Sequence, residues 1–154
     1  MSTRSLPELS QPSFGWPVRV YIEDTDAGGV VFYANYLRYL ERARTEYIRS
    51  LGFERVIVME AGLNYVVHSL SIQYRKPALL DDSLLVTAEV VEWGKTFLQF
   101  HQQVLREPTR ELLVSAEVKV ACVDQSLRPR RLPADLVAAI SAHQSKGQGG
   151  QADS

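Results

Sequence analysis

A short acidic loop that is rich in glycine is the part of this sequence whose residue types and order suit chemistry. Residues 24–29 read Asp-Thr-Asp-Ala-Gly-Gly and come shortly before the strongest helical pattern in the chain. A helix N-terminus presents unpaired backbone N–H groups and partial positive charge, which favours the oxyanion that forms when a thioester or ester carbonyl is attacked. Glycine lets a substrate approach the backbone closely, and a carboxylate can act as general base or nucleophile. The loop therefore predicts acyl transfer, for which one carboxylate is enough.

Other kinds of site fit the sequence less well. The loop resembles the start of a calcium loop in its alternating acids, but Gly28 and Asn35 stand where calcium ligands are required. The three histidines, His68, His101 and His143, lack metal-ligand spacing. The sequence has no GxSxG, GxxxxGK[ST], HExxH or CxxC motif. We therefore expect neither a metal nor a redox cofactor.

An amphipathic helix of about 16 residues is predicted directly after the loop. Its apolar residues recur at spacings of three and four, with charged residues on the other faces; they are Tyr36, Leu40, Ala43, Tyr47 and Leu51. Asn35 is predicted as the N-cap, and Gly52 as the residue that ends the helix. The apolar side of the helix needs a sheet to cover it.

Five segments with a period of two predict the strands of that sheet. The first alternates at Val18, Val20 and Ile22, and the other four lie at residues 70–74, 84–90, 98–104 and 112–122. Turn residues at 94–95 and 107–110 predict hairpins, so at least the last three strands should form an antiparallel meander. Pro133 predicts the first turn of a short terminal helix. The expected fold class is α+β, a five-stranded antiparallel sheet wrapped around one long helix.

The second face of this sheet also carries apolar side chains. They are Leu85, Val91, Trp93, Leu113 and Val123. Because monomers rarely expose large apolar patches, we expect another subunit to cover this face or an edge of the sheet. The sequence therefore predicts an oligomer.

Composition places the chain among ordinary globular domains. Its 154 residues are 45% hydrophobic and 23% charged, with a net charge of −1, which gives no electrostatic support for nucleic-acid binding. No apolar run approaches the roughly 20 residues of a membrane span, and residues 1–13 lack the apolar core of a secretory signal. The single cysteine, Cys122, is predicted to be a packing residue. We expect a cytoplasmic protein with flexible tails at residues 1–13 and 144–154 and one domain at residues 14–143.

The segment from Val18 to Tyr47, VRVYIEDTDAGGVVFYANYLRYLERARTEY, closely resembles the hotdog-fold acyl-CoA thioesterases. The resemblance is nearest to the YbgC-type branch, which is associated with the Tol-Pal system, and next to the 4-hydroxybenzoyl-CoA thioesterases. It extends more weakly to about Ile140. It implies a curved sheet around a central helix, assembly into homodimers or homotetramers, and hydrolysis of acyl-CoA. The family's catalytic carboxylate falls on Asp26, and its oxyanion contact falls on the backbone N–H of Tyr33.

The remaining site residues combine this resemblance with the chemistry of the residues themselves. Asp24 is then a loop-shaping residue, although a role as base stays open, and Gly28 and Gly29 would contact the substrate. Lys95, in a predicted hairpin, would bind the phosphates of coenzyme A near the mouth of the site.

Three further features bear on partners and specificity. Many YbgC-type relatives have histidine where this chain has Tyr33, so side-chain assistance from a histidine is lost and Tyr33 would line the acyl pocket. Arg128, Arg130 and Arg131 form a second basic cluster, which we predict to be part of a solvent-exposed loop. An acidic acyl carrier protein could use similar basic residues.

Two other functions remain open at this point. Hydroxyacyl dehydratases share the fold but need a histidine paired with a carboxylate, and neither the loop nor the long helix contains a histidine. A non-enzymatic scaffold that binds acyl carrier protein or an envelope complex would keep the loop and lack turnover. Fold alone does not separate these functions.

Overall fold

The computed structural model describes residues 14–53 and 62–148. The elements in chain order are β1 (Gly15–Arg19), α1 (Asn35–Ser50), β2 (Asn64–Tyr74), β3 (Ser83–Thr87), β4 (Glu89–Trp93), β5 (Phe97–Arg106), β6 (Glu111–Val123) and α2 (Ala134–Gln148). In the described ranges, neither helix is long and apolar enough to cross a bilayer. Two tails were predicted, and residues 1–13 and 149–154 of these tails lie outside the described residues. The terminal helix, however, continues to Gln148, past the predicted domain boundary at His143.

The sheet confirms the predicted α+β class and its antiparallel meander. Its strands lie in the order β1-β3-β5-β6-β2, and β4 also pairs with β5. The described residues form six strands rather than five, because the predicted strand at 84–90 is interrupted at Ala88. There the Thr87 hydroxyl accepts the Gln103 N–H at 2.8 Å, and the Gln102 amide donates to the Thr87 carbonyl at 3.1 Å. Side chains thus replace part of the backbone ladder.

Helix α1 packs against the sheet, in contact with β1 and β3. Leu40, Ala43 and Tyr47 are at most 1% exposed, as the predicted apolar stripe requires. Gly52 ends the helix with a φ of +102°, a conformation that favours glycine. The prediction of Asn35 as N-cap is wrong: Ala34 holds that position, and the Asn35 amide donates instead to the carbonyl of Asp24 at 2.9 Å.

The first strand is shifted towards the N-terminus relative to the prediction. β1 ends at Arg19, opposite Ser83, where its partner strand β3 begins. Residues Ile22–Asp24 form a 3-10 turn instead of continuing the strand. The alternating pattern runs on to Ile22, but among the described residues no strand pairs with β1 beyond Arg19.

The predicted apolar second face is only partly correct. Leu113 and Val123 are buried within the chain rather than by another subunit. Leu113 lies at a register shift between β5 and β6, and its carbonyl accepts the N–H groups of Arg75 and Lys76. Val123 is bridged by residue 129 of the following loop. Leu85 and Trp93 are half-buried, and Val91 alone of the five is exposed.

The open edge of the sheet carries a clearer signal for assembly. Strand β2 pairs with β6 on one side only, and within the described residues its other edge has no partner. Val66, Val67, Leu70 and Tyr74 on this strand are between 37% and 51% exposed. A long, apolar, unpaired edge strand is a template for pairing with another chain.

Candidate active site

The acidic loop folds back on itself and leads directly into α1. The N–H of Phe32 donates to the carbonyl of Asp24 at 3.0 Å, and the N–H of Asp26 donates to the carbonyl of Val30 at 2.8 Å. Asp26 therefore lies near the tip of a short hairpin-like loop, and Asp24 and Phe32 lie at its base, next to the N-terminus of α1.

The Asp26 carboxylate is exposed and only partly engaged. Its Oδ1 accepts the N–H of Gly28 at 2.8 Å and the N–H of Val30 at 3.4 Å. No hydrogen bond to Oδ2 comes from the described residues. Gly29 adopts a φ of +84°, which explains a glycine at that position. One oxygen thus holds the turn together, and the other is free for a reacting group.

Asp24 has the contacts of a loop-shaping residue. Its carboxylate accepts the N–H of Tyr21 at 2.9 Å, and its carbonyl accepts bonds from both Phe32 and Asn35. Burial and then the Asp24 charge raise the pKa of the Tyr39 phenol. The main-chain carbonyl of Asp24 thus accepts two of these three bonds and its carboxylate one, and Asp24 is half-buried whereas Asp26 is exposed.

The N-terminus of α1 keeps two unpaired donors. The N–H groups of Asn35, Tyr36 and Leu37 donate to carbonyls three residues earlier, in a tightened first turn. Ala34 offers no side-chain cap. Within the described part of the chain, the N–H groups of Tyr33 and Ala34 have no acceptor. A 16-residue helix with an uncapped N-terminus leaves these donors to a ligand oxygen.

An open cavity of about 220 Å³ has Tyr33 in its lining. The other lining residues include Tyr36, Tyr74, Arg75 and Lys76, and Asp26 is not among them. Tyr36 was predicted only as part of the apolar side of the helix, and Tyr74, Arg75 and Lys76 were not predicted as site residues. The Tyr-Arg-Lys-Pro run was visible as part of the family resemblance, but its position beside the loop depends on a long-range sheet contact.

Backbone hydrogen bonds connect residues 76–82 to the acidic loop. The N–H of Val31 donates to the carbonyl of Ala78 at 2.9 Å, and the N–H of Leu80 donates to the carbonyl of Gly29 at 3.2 Å. The buried Tyr36 hydroxyl accepts the N–H of Ala78 at 2.9 Å. The helix, the acidic loop and this segment therefore form one connected unit.

A charged network anchors that segment to the sheet. Arg106 donates to Asp82 at 3.0 Å, to Glu111 at 2.7 Å and to the carbonyl of Pro77 at 2.8 Å. Lys76 contacts the second oxygen of Glu111 at 2.6 Å. Hydrogen bonds from Lys76 and then Arg106 lower the pKa of Glu111 below its ordinary value.

Because the pKa of Glu111 is lowered, this carboxylate should stabilise the fold at neutral pH and not in acid. Glu111→Gln should remove that contribution. A carboxylate with a lower pKa in the folded state stabilises the fold above its unfolded pKa of about 4.3, and the contribution is lost as pH falls through the folded pKa. We expect the variant to melt at a lower temperature than wild type at pH 7 and at the same temperature near pH 2.5. Thermal denaturation across pH measures this. Glu92→Gln, which removes an exposed carboxylate on β4, is the control, and an equal gap at every pH would contradict the assignment.

Lys95, the predicted phosphate contact, lies at the opposite end of the sheet from the acidic loop of the same chain. It precedes β5, whereas Arg106 at the other end of β5 adjoins the site. Ten strand residues span about 30 Å. The N–H of Leu132 donates to the carbonyl of Lys95 at 2.8 Å, which brings the loop with the predicted arginine cluster to the same end.

Within that loop only one of the three arginines has an ion pair among the described residues. Arg130 contacts Asp124 at 2.9 Å, and Asp124 also accepts backbone N–H groups from the turn. Arg128, Arg131 and Lys95 are exposed. We call these three residues, Lys95, Arg128 and Arg131, the basic end.

Comparison with known proteins gives one consistent family. A family model described as "Thioesterase superfamily" matches residues 28–113. An "Acyl-CoA thioesterase YbgC" of Haemophilus influenzae is 47% identical over 129 residues, which cover 82% of this chain and 93% of that protein. An "Acyl-CoA thioester hydrolase YbgC" of Escherichia coli O6:H1 is 44% identical over 126 residues, covering 81% and 93%.

Solved structures agree with the fold. A probable thioesterase from Bartonella henselae superimposes with a TM-score of 0.72 at 32% identity, covering 77% of this chain and 98% of that one. A DHNA-CoA thioesterase from Staphylococcus aureus gives a TM-score of 0.81 at 23% identity, covering 90% and 95%. At this lower identity the second match speaks for the fold alone.

Proposed function

This chain belongs to the thioesterase superfamily, in its YbgC branch, and we propose that it hydrolyses acyl-CoA thioesters to the free acid and coenzyme A at the Asp26 loop. One observation carries the site assignment. Among the described residues, one carboxylate oxygen of Asp26 and the N–H of Tyr33 have no hydrogen-bond partner; both residues belong to one loop, and Tyr33 lines an open cavity. This is the pair of groups that acyl transfer requires.

The backbone N–H of Tyr33 serves as the oxyanion donor. It belongs to the helix entrance, where the partial positive charge of α1 adds to its effect. As the thioester carbonyl becomes tetrahedral, negative charge develops on its oxygen, and a fixed donor stabilises that charge more than it stabilises the ground state. The side chain of Tyr33 is not needed for this role and contributes to the wall of the cavity.

Asp26 acts on the same carbonyl in one of two ways. As a nucleophile, it forms a mixed anhydride with the acyl group and expels the coenzyme A thiolate, and water then cleaves the anhydride. As a general base, it takes a proton from water that attacks the thioester, and it returns the proton to the leaving thiolate. Both routes use the free carboxylate oxygen and give the same products.

Single-turnover reaction in ¹⁸O-labelled water separates the two routes. Label recovered in the Asp26 carboxylate requires the anhydride, because water must then have attacked the carbonyl of the enzyme. A parallel reaction with hydroxylamine tests for a trapped acyl-enzyme. Absence of both signals, with label in the product acid, favours the general base. Failure of the wild type to release thiol from acyl-CoA would overturn the proposed function itself.

A second copy of the chain pairs along β2 in this proposal. The strand is an open edge with exposed apolar side chains, and a two-fold axis normal to the sheet pairs such a strand with its copy in antiparallel direction. The result is a homodimer with one continuous sheet, and two dimers can assemble further into a homotetramer.

Antiparallel pairing carries the basic end of one subunit to the active site of the other. The Asn64 end of β2 pairs with Val123, next to the loop that contacts Lys95, whereas the Tyr74 end adjoins Tyr33. The two-fold axis places these ends side by side across the dimer. Lys95 then binds the phosphates of coenzyme A at the partner's site, with Arg128 and Arg131, although it is remote from its own Asp26.

The same basic end suits an acyl carrier protein. Such a carrier is acidic and presents its acyl group on a phosphopantetheine arm, so positive charge at the mouth of the site would guide it. Acyl-CoA remains the proposed substrate, because the relatives that share more than two-fifths identity carry that substrate in their names.

A further inference from the structure

Tyr74 connects the open edge strand to the entrance of the helix. Its hydroxyl donates to the carbonyl of Tyr33 at 3.3 Å. Its ring stands edge-on to the ring of Tyr33, with centroids 6.4 Å apart, and lies 5.5 Å from the ring of Tyr36. Tyr74 is the last residue of β2, so a single side chain reaches from the sheet edge to the backbone beside the proposed oxyanion donor.

The carbonyl that Tyr74 contacts belongs to the same peptide unit as the N–H of Ala34. That carbonyl accepts a second, long hydrogen bond from the N–H of Tyr36 at 3.4 Å. Hydrogen bonds to a carbonyl oxygen polarise the amide and make its N–H a stronger donor. Within the described residues the N–H of Ala34 has no acceptor, so this polarised donor is available to a ligand.

We propose that the N–H of Ala34 is a second oxyanion donor and that Tyr74 is a positioning residue, which orients and polarises the Tyr33–Ala34 peptide from the sheet edge. The inference rests on the proposed function and adds a residue to it. Tyr33 and Ala34 then present two adjacent backbone donors to the developing oxyanion, and the hydroxyl of Tyr74 fixes the direction of the second one.

The protonation state of Tyr74 suits a donor. Burial, and next the neighbouring Tyr33, raise the pKa of its phenol, so it keeps its proton throughout the neutral range. Packing against Tyr33 and Tyr36 would be served equally well by phenylalanine. The hydroxyl is therefore the part of the side chain that separates a positioning role from a packing role.

Tyr74→Phe tests the inference, because it keeps the ring and removes only the hydrogen bond. We expect kcat for acyl-CoA hydrolysis to fall about fivefold, the effect of one neutral hydrogen bond, with KM changed less than twofold. The melting temperature should stay within about 2 °C of wild type. Tyr47→Phe is the matched control: it removes a buried hydroxyl that has no partner among the described residues, and we expect both kinetic constants to stay within twofold.

Infrared spectroscopy of a bound thioester supplies a readout that packing alone would not move. A ¹³C-labelled acyl-CoA bound to Asp26→Asn should show a carbonyl stretch shifted to lower wavenumber by the two donors. Adding Tyr74→Phe should reduce that shift while the Kd changes less than twofold.

Two results would overturn the role of Tyr74. One is a kcat within 1.5-fold of wild type, and the other is an unchanged carbonyl stretch in the double variant. A fall in kcat matched by a large fall in melting temperature would also overturn it, in favour of a structural role. If the wild type hydrolyses no acyl-CoA, the proposed function fails first and this inference falls with it.

Discussion

Asp26→Asn is expected to lower kcat for acyl-CoA hydrolysis by about 10³-fold while the protein stays folded. Loss of a general base or nucleophile typically costs two to four orders of magnitude. The asparagine side chain keeps an oxygen that can accept the N–H of Gly28, so the turn that Asp26 holds in the native loop is preserved. Steady-state thiol release and thermal denaturation of the same preparation measure the two properties together.

Asp24→Asn is the matched control for this prediction. The Asp24 carboxylate accepts the N–H of Tyr21, a bond that asparagine can keep, and Phe32 and Asn35 donate to the main-chain carbonyl. The substitution should therefore leave the protein folded and kcat within about tenfold of wild type. The opposite pattern, with Asp24→Asn inactive and Asp26→Asn active, would exchange the roles of the two carboxylates. A full loss of folding in either variant would show up directly in the denaturation curve.

Reversing charge at the basic end should produce the second large effect. The double variant Lys95→Glu with Arg131→Glu is expected to lower kcat/KM for acyl-CoA about 100-fold, since each charge-assisted bond to phosphate contributes about 1.5–3 kcal/mol. An acyl-pantetheine without phosphates should be hydrolysed at nearly the wild-type rate. Arg42→Glu with Arg49→Glu, two exposed charge reversals on α1, is the control that changes the net charge by the same amount. Equal losses on both substrates would contradict a phosphate contact.

A hybrid dimer tests whether this contact crosses the subunit boundary. One subunit carries Asp26→Asn and the other carries the two charge reversals, and differently tagged chains allow the hybrid to be purified. If the basic end serves the partner's site, one of the two sites in the hybrid is intact, and activity should return to about half that of wild type. If the contact were within one chain, each site would keep one defect, and the hybrid would be as inactive as its parents.

Local patterns in the sequence predicted the elements that carry the site. The helix follows from its apolar stripe and from Gly52, and both hairpins follow from their turn residues, because each of these signals acts within a few residues. The break at Ala88 could not be predicted, since it comes from hydrogen bonds between Thr87 and two glutamines on a neighbouring strand. The burial of Leu113 likewise depends on a register shift between strands.

The candidate site likewise has residues that the sequence predicted and residues that it did not. The acidic loop and its helix are contiguous in sequence, so Asp26 and Tyr33 were found from residue types and the family resemblance. Their catalytic roles remain predictions. Tyr74 was missed because only the pairing of β2 with β6 brings it to the helix entrance. Lys95 was placed near the mouth of the site from its hairpin alone, and the structure puts it at the opposite end of the same subunit.

Release of free coenzyme A from short, medium, long and aromatic acyl-CoA thioesters tests the central claim most directly. The wild-type protein should hydrolyse at least one of these classes well above the rate given by folded Asp26→Asn, and the ranking of the classes would define the acyl pocket. No thiol released from any of them by the folded wild type would contradict an acyl-CoA thioesterase. Thioesters of acyl carrier protein, and then a non-enzymatic scaffold, would be the next candidates.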